Sequence, residues 1–234
     1  RFLRDFVPIV LACLATLSGG IAQKELKKGD HLVLIGNGLA DRMQHHGWLE
    51  AFVQAAYPKH QLVIRNQGYH GDRVDHRPRN KGFLNADQYL TLSKADVIYA
   101  MFGYNESFDG TPDKFKAALI KWVGDTRKKN YSGKGAPRIV LFSPIAHEDL
   151  GDANLPDGKA NNARLGAYTE AMAAAAKASG VGYVDLYSPS LALYAKDSDA
   201  LTFNGIHLTN AGNRQLAEVI VEALSGSVPQ INAN

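Results

Sequence analysis

The sequence predicts an α/β protein, a parallel five-stranded sheet covered by helices on both faces. Three observations carry that prediction. Short apolar runs alternate with longer segments of helical spacing along the chain. The strand runs are continuously hydrophobic, as in strands buried on both sides. Glycine, proline and asparagine punctuate almost every junction between them.

The elements follow in order. His31–Ile35 reads as the first strand, and Leu39–Ala56 as one helix with Met43, Trp48, Phe52 and Ala55 towards one face and Pro58 after it. Gln61–Arg65 is the second strand, followed by a loop at Gly68 and Gly71, and Asn85–Leu92 is a short helix. Asp96–Phe102 is the third strand. Thr111 and Pro112 make an N-cap and first position for a helix running to about Lys129. Arg138–Phe142 is the fourth strand, stopped by Pro144. An Ala-rich helix over Asn161–Ser179 ends at Gly180, Gly182–Leu186 is the fifth strand, and Asn210–Leu224 is the last helix. Asp149–Lys159 reads as a surface loop, not a domain boundary, and the chain shows neither repeats nor a second core.

Composition narrows the function classes. The 234 residues are 45% hydrophobic and 21% charged, which suits a packed core. A net charge of +3 argues against a dedicated nucleic-acid or membrane-surface binder. A single cysteine, Cys13, excludes an internal disulfide and four-thiolate zinc sites.

The first 22 residues have their own pattern. Arg1 and Arg4 precede an apolar run from Phe6 to Leu17, and Gly20-Ile21-Ala22 offers a small-residue cleavage site. This predicts a secretory signal peptide over 1–22, with a domain over 23–234 secreted or periplasmic. The run is short for a membrane span, so no stable membrane insertion is expected after cleavage. A buried helix is the plain alternative. Lipidation at Cys13 is another, which Leu11 and the short apolar stretch before it disfavour.

In open α/β sheets ligands bind beyond the carboxyl ends of the strands. The polar, glycine-rich clusters fall there: Gly36-Asn37-Gly38, Asn66 to Asp72, Gly103-Tyr104-Asn105-Glu106-Ser107 and Ser143 to His147, with Asn204-Gly205-Ile206-His207 before the last helix. Their order and content resemble the SGNH (GDSL-like) hydrolases. Gly36-Asn37-Gly38-Leu39 stands where that family has Gly-Asp/Asn-Ser-Leu, Asn66 to Gly71-Asp72 where it has Asn-x-x-x-x-Gly-Asp, Gly103-Tyr104-Asn105 where it has Gly-x-Asn, and Asn204 to His207 where it has Asp-x-x-His. Each block alone is weak; four in order over roughly residues 30 to 224 are fairly specific.

The resemblance implies a three-layer, flavodoxin-like α/β/α domain. It implies ester hydrolysis by a serine nucleophile, a histidine base and an orienting carboxylate, without metal or organic cofactor. Carried over residue by residue, Gly38 holds the nucleophile position, His207 is the base and Asn204 holds the acid position. The Gly38 and Gly71 N–H groups and the Asn105 side chain are the oxyanion donors, and Asn37, Asp72 and Glu106 are supporting residues. The partner expected is a small-molecule or carbohydrate ester.

Two departures matter. Gly38 has no hydroxyl, so covalent acyl transfer from this position is impossible and the chain is expected to be crippled as an esterase. Asn204 offers no charge to stabilise an imidazolium, and in serine proteases the equivalent change costs ~10⁴ in rate. Glu106 is a candidate substitute partner for His207. Three explanations of Gly38 stay open: an inactivating change, a natural loss leaving a non-catalytic glycan- or ester-binding protein, or another nucleophile, Ser107 or Ser143.

Plainer readings apply elsewhere. Adjacent His45 and His46 cannot face one partner. His70, Asp72, Asp75 and His76 look superficially like metal ligands but lack a zinc spacing. Gly36-x-Gly38 is no dinucleotide fingerprint, because the third glycine would fall at Asp41. His147-Glu148-Asp149 is expected to line the crevice or be a solvated loop.

Overall fold

A computed structural model describes residues 25–78, 81–196 and 199–231. The expected signal peptide over 1–22 and Cys13 lie outside the described residues. Five strands, β1 His31–Gly36, β2 Val63–Asn66, β3 Val97–Met101, β4 Arg138–Phe142 and β5 Gly182–Val184, form one sheet in the order β2-β1-β3-β4-β5. Every neighbouring pair is parallel. The chain winds outwards from β1 in one direction and from β3 in the other, so the topological switch point lies between β1 and β3.

Alternation along the strands supplies two cores. Leu32, Leu34, Val97, Tyr99, Val140 and Phe142 face one side, where they pack with Ala40, Phe52, Leu216 and Ile220. Val33, Ile35, Ile98, Ala100, Ile139 and Leu141 face the other and meet Phe115, Leu119, Met172 and Ala175. The helices are α1 Gly38–Met43, α2 Trp48–Ala56, α3 Ala86–Leu92, α4 Pro112–Thr126, α5 Lys159–Ser179, α6 Tyr187–Tyr194 and α7 Asn210–Ser225. None of them is long and apolar enough to cross a membrane.

The caps explain several boundaries. Asn85 closes a capping box with Gln88 at the start of α3. Thr111 accepts from the Lys114 N–H, with Pro112 opening α4 as its sequence requires. The expected single helix over Leu39–Ala56 is instead two. The first ends at Met43, capped by Gln44, and Gly47, at φ 67° in the left-handed region, starts the second. The fifth strand stops at Val184 and not at Leu186, and Tyr187–Tyr194, unassigned from the sequence, is a helix with Pro189 in its first turn. Proline is tolerated there because a first-turn N–H has no intrahelical acceptor.

Candidate active site

The loop after β1 turns straight into α1. Asn37, buried, donates its N–H to the Met101 carbonyl at 3.0 Å, while its side chain caps α1 by accepting from the Leu39 N–H at 3.1 Å. Gly38 is therefore the first helical residue. Its N–H has no acceptor among the described residues. Its φ lies outside the left-handed region, so the backbone at 38 does not demand glycine.

A Cβ built on Gly38 would stand 3.7 Å from His207 Nε2, 3.8 Å from His70 Nε2 and 3.3 Å from His70 Cδ2. Two imidazoles thus face the place where a side chain on residue 38 would be. Around them lies a crevice of about 70 Å³ at the carboxyl end of β1 and β3, walled by Leu39, Met101, Phe102, Pro144, Ile145 and Ile206. Asn37, Gly38, Asn105 and His207 line it together, as the motif spacing requires. Gly71, Asp72, Glu106 and Asn204 stand outside its lining.

His207 is held from behind by Asn204. The Asn204 Oδ1 accepts the His207 N–H at 2.9 Å and the Ile206 N–H at 3.3 Å. Its Nδ2 lies 2.9 Å from His207 Nδ1, closer than Oδ1 at 3.2 Å. Phe203 stacks on the ring, with centroids 5.5 Å apart and planes at 16°, and the Arg42 guanidinium covers Phe203. Burial lowers the His207 pKa, and the charge of Arg42, with that of His70 whenever it is protonated, lowers it further.

His70 has a different partner. Its Nδ1 lies 2.8 Å from Asp41 Oδ2, and its side chain is 54% exposed against 15% for Asp41. Asp41 is three residues after Gly38, one turn along the same face of α1.

The remaining candidates have structural partners. Asn105 donates both amide hydrogens to the loop opposite, to the carbonyls of His70 at 2.9 Å and Asp72 at 3.0 Å. In this structure it clamps that loop from the edge of the crevice. Gly71 sits under this clamp, its N–H without an acceptor among the described residues, and a Cβ there would strike Pro78 at 2.8 Å. Asp72 is fully buried, with Arg77 Nη1 3.9 Å away.

Glu106 is not a substitute partner for His207. Its carboxylate accepts the Val74 N–H at 2.8 Å and the Gly103 N–H at 2.9 Å, bracing two loops. Burial raises its pKa despite those donors. Neither rival serine reaches an imidazole. Ser107 donates to the Tyr104 carbonyl at 2.7 Å. Ser143, fully buried, accepts from the N–H groups of Leu186 and Tyr187 at 2.7 and 3.1 Å.

His147 and Glu148 are neither crevice lining nor solvated loop; they are buried behind the His207 loop. The Glu148 carboxylate accepts from the Leu201 and Thr202 N–H groups at 3.0 and 2.6 Å. Asn161 Nδ2 is 2.8 Å from His147 Nδ1, and a Cβ on Gly205 would stand 2.2 Å from His147 Nε2. Burial lowers the His147 pKa against the pull of Asp149 and Asp157. Among the described residues no group of three histidine, cysteine or acidic side chains could hold a metal ion, the stretch from His70 to His76 included.

The sheet order and the crevice at the switch point define a doubly wound α/β protein with a ligand site beyond the carboxyl ends of β1 and β3. The description of the GDSL-like lipase/acylhydrolase family matches residues 34–215, and the chain belongs to that family. In fold it is similar to a catalytic mutant of Axe2, an acetylxylan esterase from Geobacillus stearothermophilus. That likeness has a TM-score of 0.67 at 18% identity and covers 89% of this chain and 100% of the other. A gut microbial diltiazem-metabolizing enzyme matches with a TM-score of 0.65 at 21% identity over 86% of this chain and 48% of its own. LAE5, an alpha/beta hydrolase enzyme from the metagenome of Lake Arreo, Spain, matches at 0.61 and 22% over 85% and 96%. No curated protein matches the sequence.

Sequence reasoning missed the His70–Asp41 pair. The available signal was an imidazole inside the second glycine block together with an acid one helical turn beyond position 38.

Proposed function

We propose that the crevice is an acyl-ester site whose nucleophile position is occupied by Gly38, so that no acyl-enzyme forms there. The observation that carries this is the 3.7 Å between His207 Nε2 and a Cβ built on Gly38. A serine side chain at that Cβ would put its hydroxyl within reach of the ring. The family and the small apolar crevice favour a short acyl group on a small molecule or carbohydrate, and the acetylxylan esterase likeness favours a sugar acetate. The basic start, apolar run and small-residue exit over 1–22 favour an exported protein.

The test is Gly38→Ser assayed on p-nitrophenyl acetate and probed with a fluorophosphonate. The reading expects faster hydrolysis and a covalent adduct; no gain in either rejects the nucleophile position. A second reading, a non-catalytic glycan- or ester-binding protein, is favoured by the missing hydroxyl at position 38. Ligand affinity without turnover, unchanged by Gly38→Ser, would select it.

A further inference from the structure

We propose that His70, oriented by Asp41, is a second imidazole base of the crevice that activates water directly on a bound ester. This rests on the acyl-ester reading above and names the group that would act where no serine does.

The two rings present opposite characters to one spot. An ionised carboxylate only accepts hydrogen bonds, so the 2.8 Å contact with Asp41 places the His70 proton on Nδ1 and leaves a lone pair on Nε2. At His207 the order is reversed. The Asn204 NH2 lies nearer Nδ1, at 2.9 Å against 3.2 Å for the oxygen, and the oxygen also accepts two backbone N–H groups, so the NH2 is the group that donates to Nδ1. Nδ1 then accepts, and the ring proton sits on Nε2. His207 is therefore a hydrogen-bond donor to the crevice in this arrangement, and the base role carried over from the family falls to His70. Neither Nε2 has a hydrogen-bond partner among the described residues, and both lie within 3.8 Å of the Cβ position of residue 38. With glycine at 38, that space admits a water between them.

The step balances without any further reactant. A water O–H proton passes to His70 Nε2 as its oxygen bonds to the ester carbonyl carbon. The carbonyl oxygen becomes an oxyanion, stabilised by the His207 Nε2–H and by the unpaired Gly38 N–H at the start of α1. The bond from carbon to the alcohol oxygen then breaks, and that oxygen takes the proton back from the His70 imidazolium. The products are the carboxylic acid and the alcohol, and both rings end neutral.

The experiment uses the unmodified chain and p-nitrophenyl acetate. It should turn over above buffer without a burst and without an acyl adduct by intact mass. His70→Ala should lose about 10²-fold or more, and added imidazole should restore part of the loss. His70 is half exposed, so the variant is expected to fold, which its melting curve checks. Asp41→Asn, a positioning change, should lower kcat with KM held. His76→Ala, an exposed histidine outside the crevice, should change nothing. No turnover above buffer, or full activity in His70→Ala, overturns the proposal. The acyl-ester reading stands or falls separately, on whether Gly38→Ser forms its adduct.

Discussion

His207 and His70 face the same point from loops more than 130 residues apart in the chain, and they are built differently. His207 is the rigid one. Asn204 fixes its edge, Phe203 covers its face, and behind its loop stand two buried residues, Glu148, tied to backbone N–H groups, and His147, whose ring meets the Asn161 amide. His70 is half exposed, held by one carboxylate and by the Asn105 clamp on its own carbonyl. The rigid station has a neutral amide as its partner and the looser one a carboxylate. In this crevice a rigid frame and a charged partner belong to different rings, and the proposed base is the ring with the charged partner.

The largest effect should come from erasing that difference. Adding Asn204→Asp to Gly38→Ser gives His207 an anionic partner, and acylation by a fluorophosphonate should speed up by up to ~10⁴ over Gly38→Ser alone. Stopped-flow labelling checks it, and equal rates would mean that Asn204 does not govern the ring.

Breaking the rigid station comes next. Gly205 has φ 86° and its missing Cβ is what lets His147 Nε2 approach. Gly205→Ala should cost about 2–5 kcal/mol through backbone strain and a buried clash, read by urea unfolding. Hydrolysis that depends on His70 should fall with it, because the oxyanion loses its His207 donor.

Loosening the other station is milder. Asn105→Ala removes two hydrogen bonds to the loop carrying His70 and should cost about 1–2 kcal/mol. It should lower kcat on p-nitrophenyl acetate while leaving fluorophosphonate labelling of Gly38→Ser detectable.

The smallest effect is a pH slope. The His147 pKa is lowered by burial, so below about 6.5 the unfolded chain takes a proton that the folded chain refuses. Stability should therefore fall as pH drops from about 6.5 towards the folded pKa. His147→Gln should flatten that part of the melting-temperature profile, and an unchanged slope would remove His147 as its source.

Legibility in the sequence followed the range of the interactions. β4 and the start of α4 could be read because an apolar run, a threonine cap and a proline are local signals. The break between Met43 and Trp48 was hidden because the apolar spacing continues across it, and α6 because its proline falls in the first turn, where it does no harm. The Gly38 and His207 positions were legible through motif order. The His70–Asp41 contact was not, because only the folded β1–α1 turn brings the second loop over position 38. The bracing role of Glu106 was hidden for the same reason: its acceptors' partners, Val74 and Gly103, lie on two different loops.

The most direct measurement is peptide mass mapping of Gly38→Ser after fluorophosphonate treatment, with the unmodified chain alongside. A single adduct on the peptide containing residue 38, absent from the unmodified chain, is the predicted result. An adduct on the peptide containing Ser107 or Ser143, or none in either protein, would contradict the placement of the reacting centre between His207 and His70.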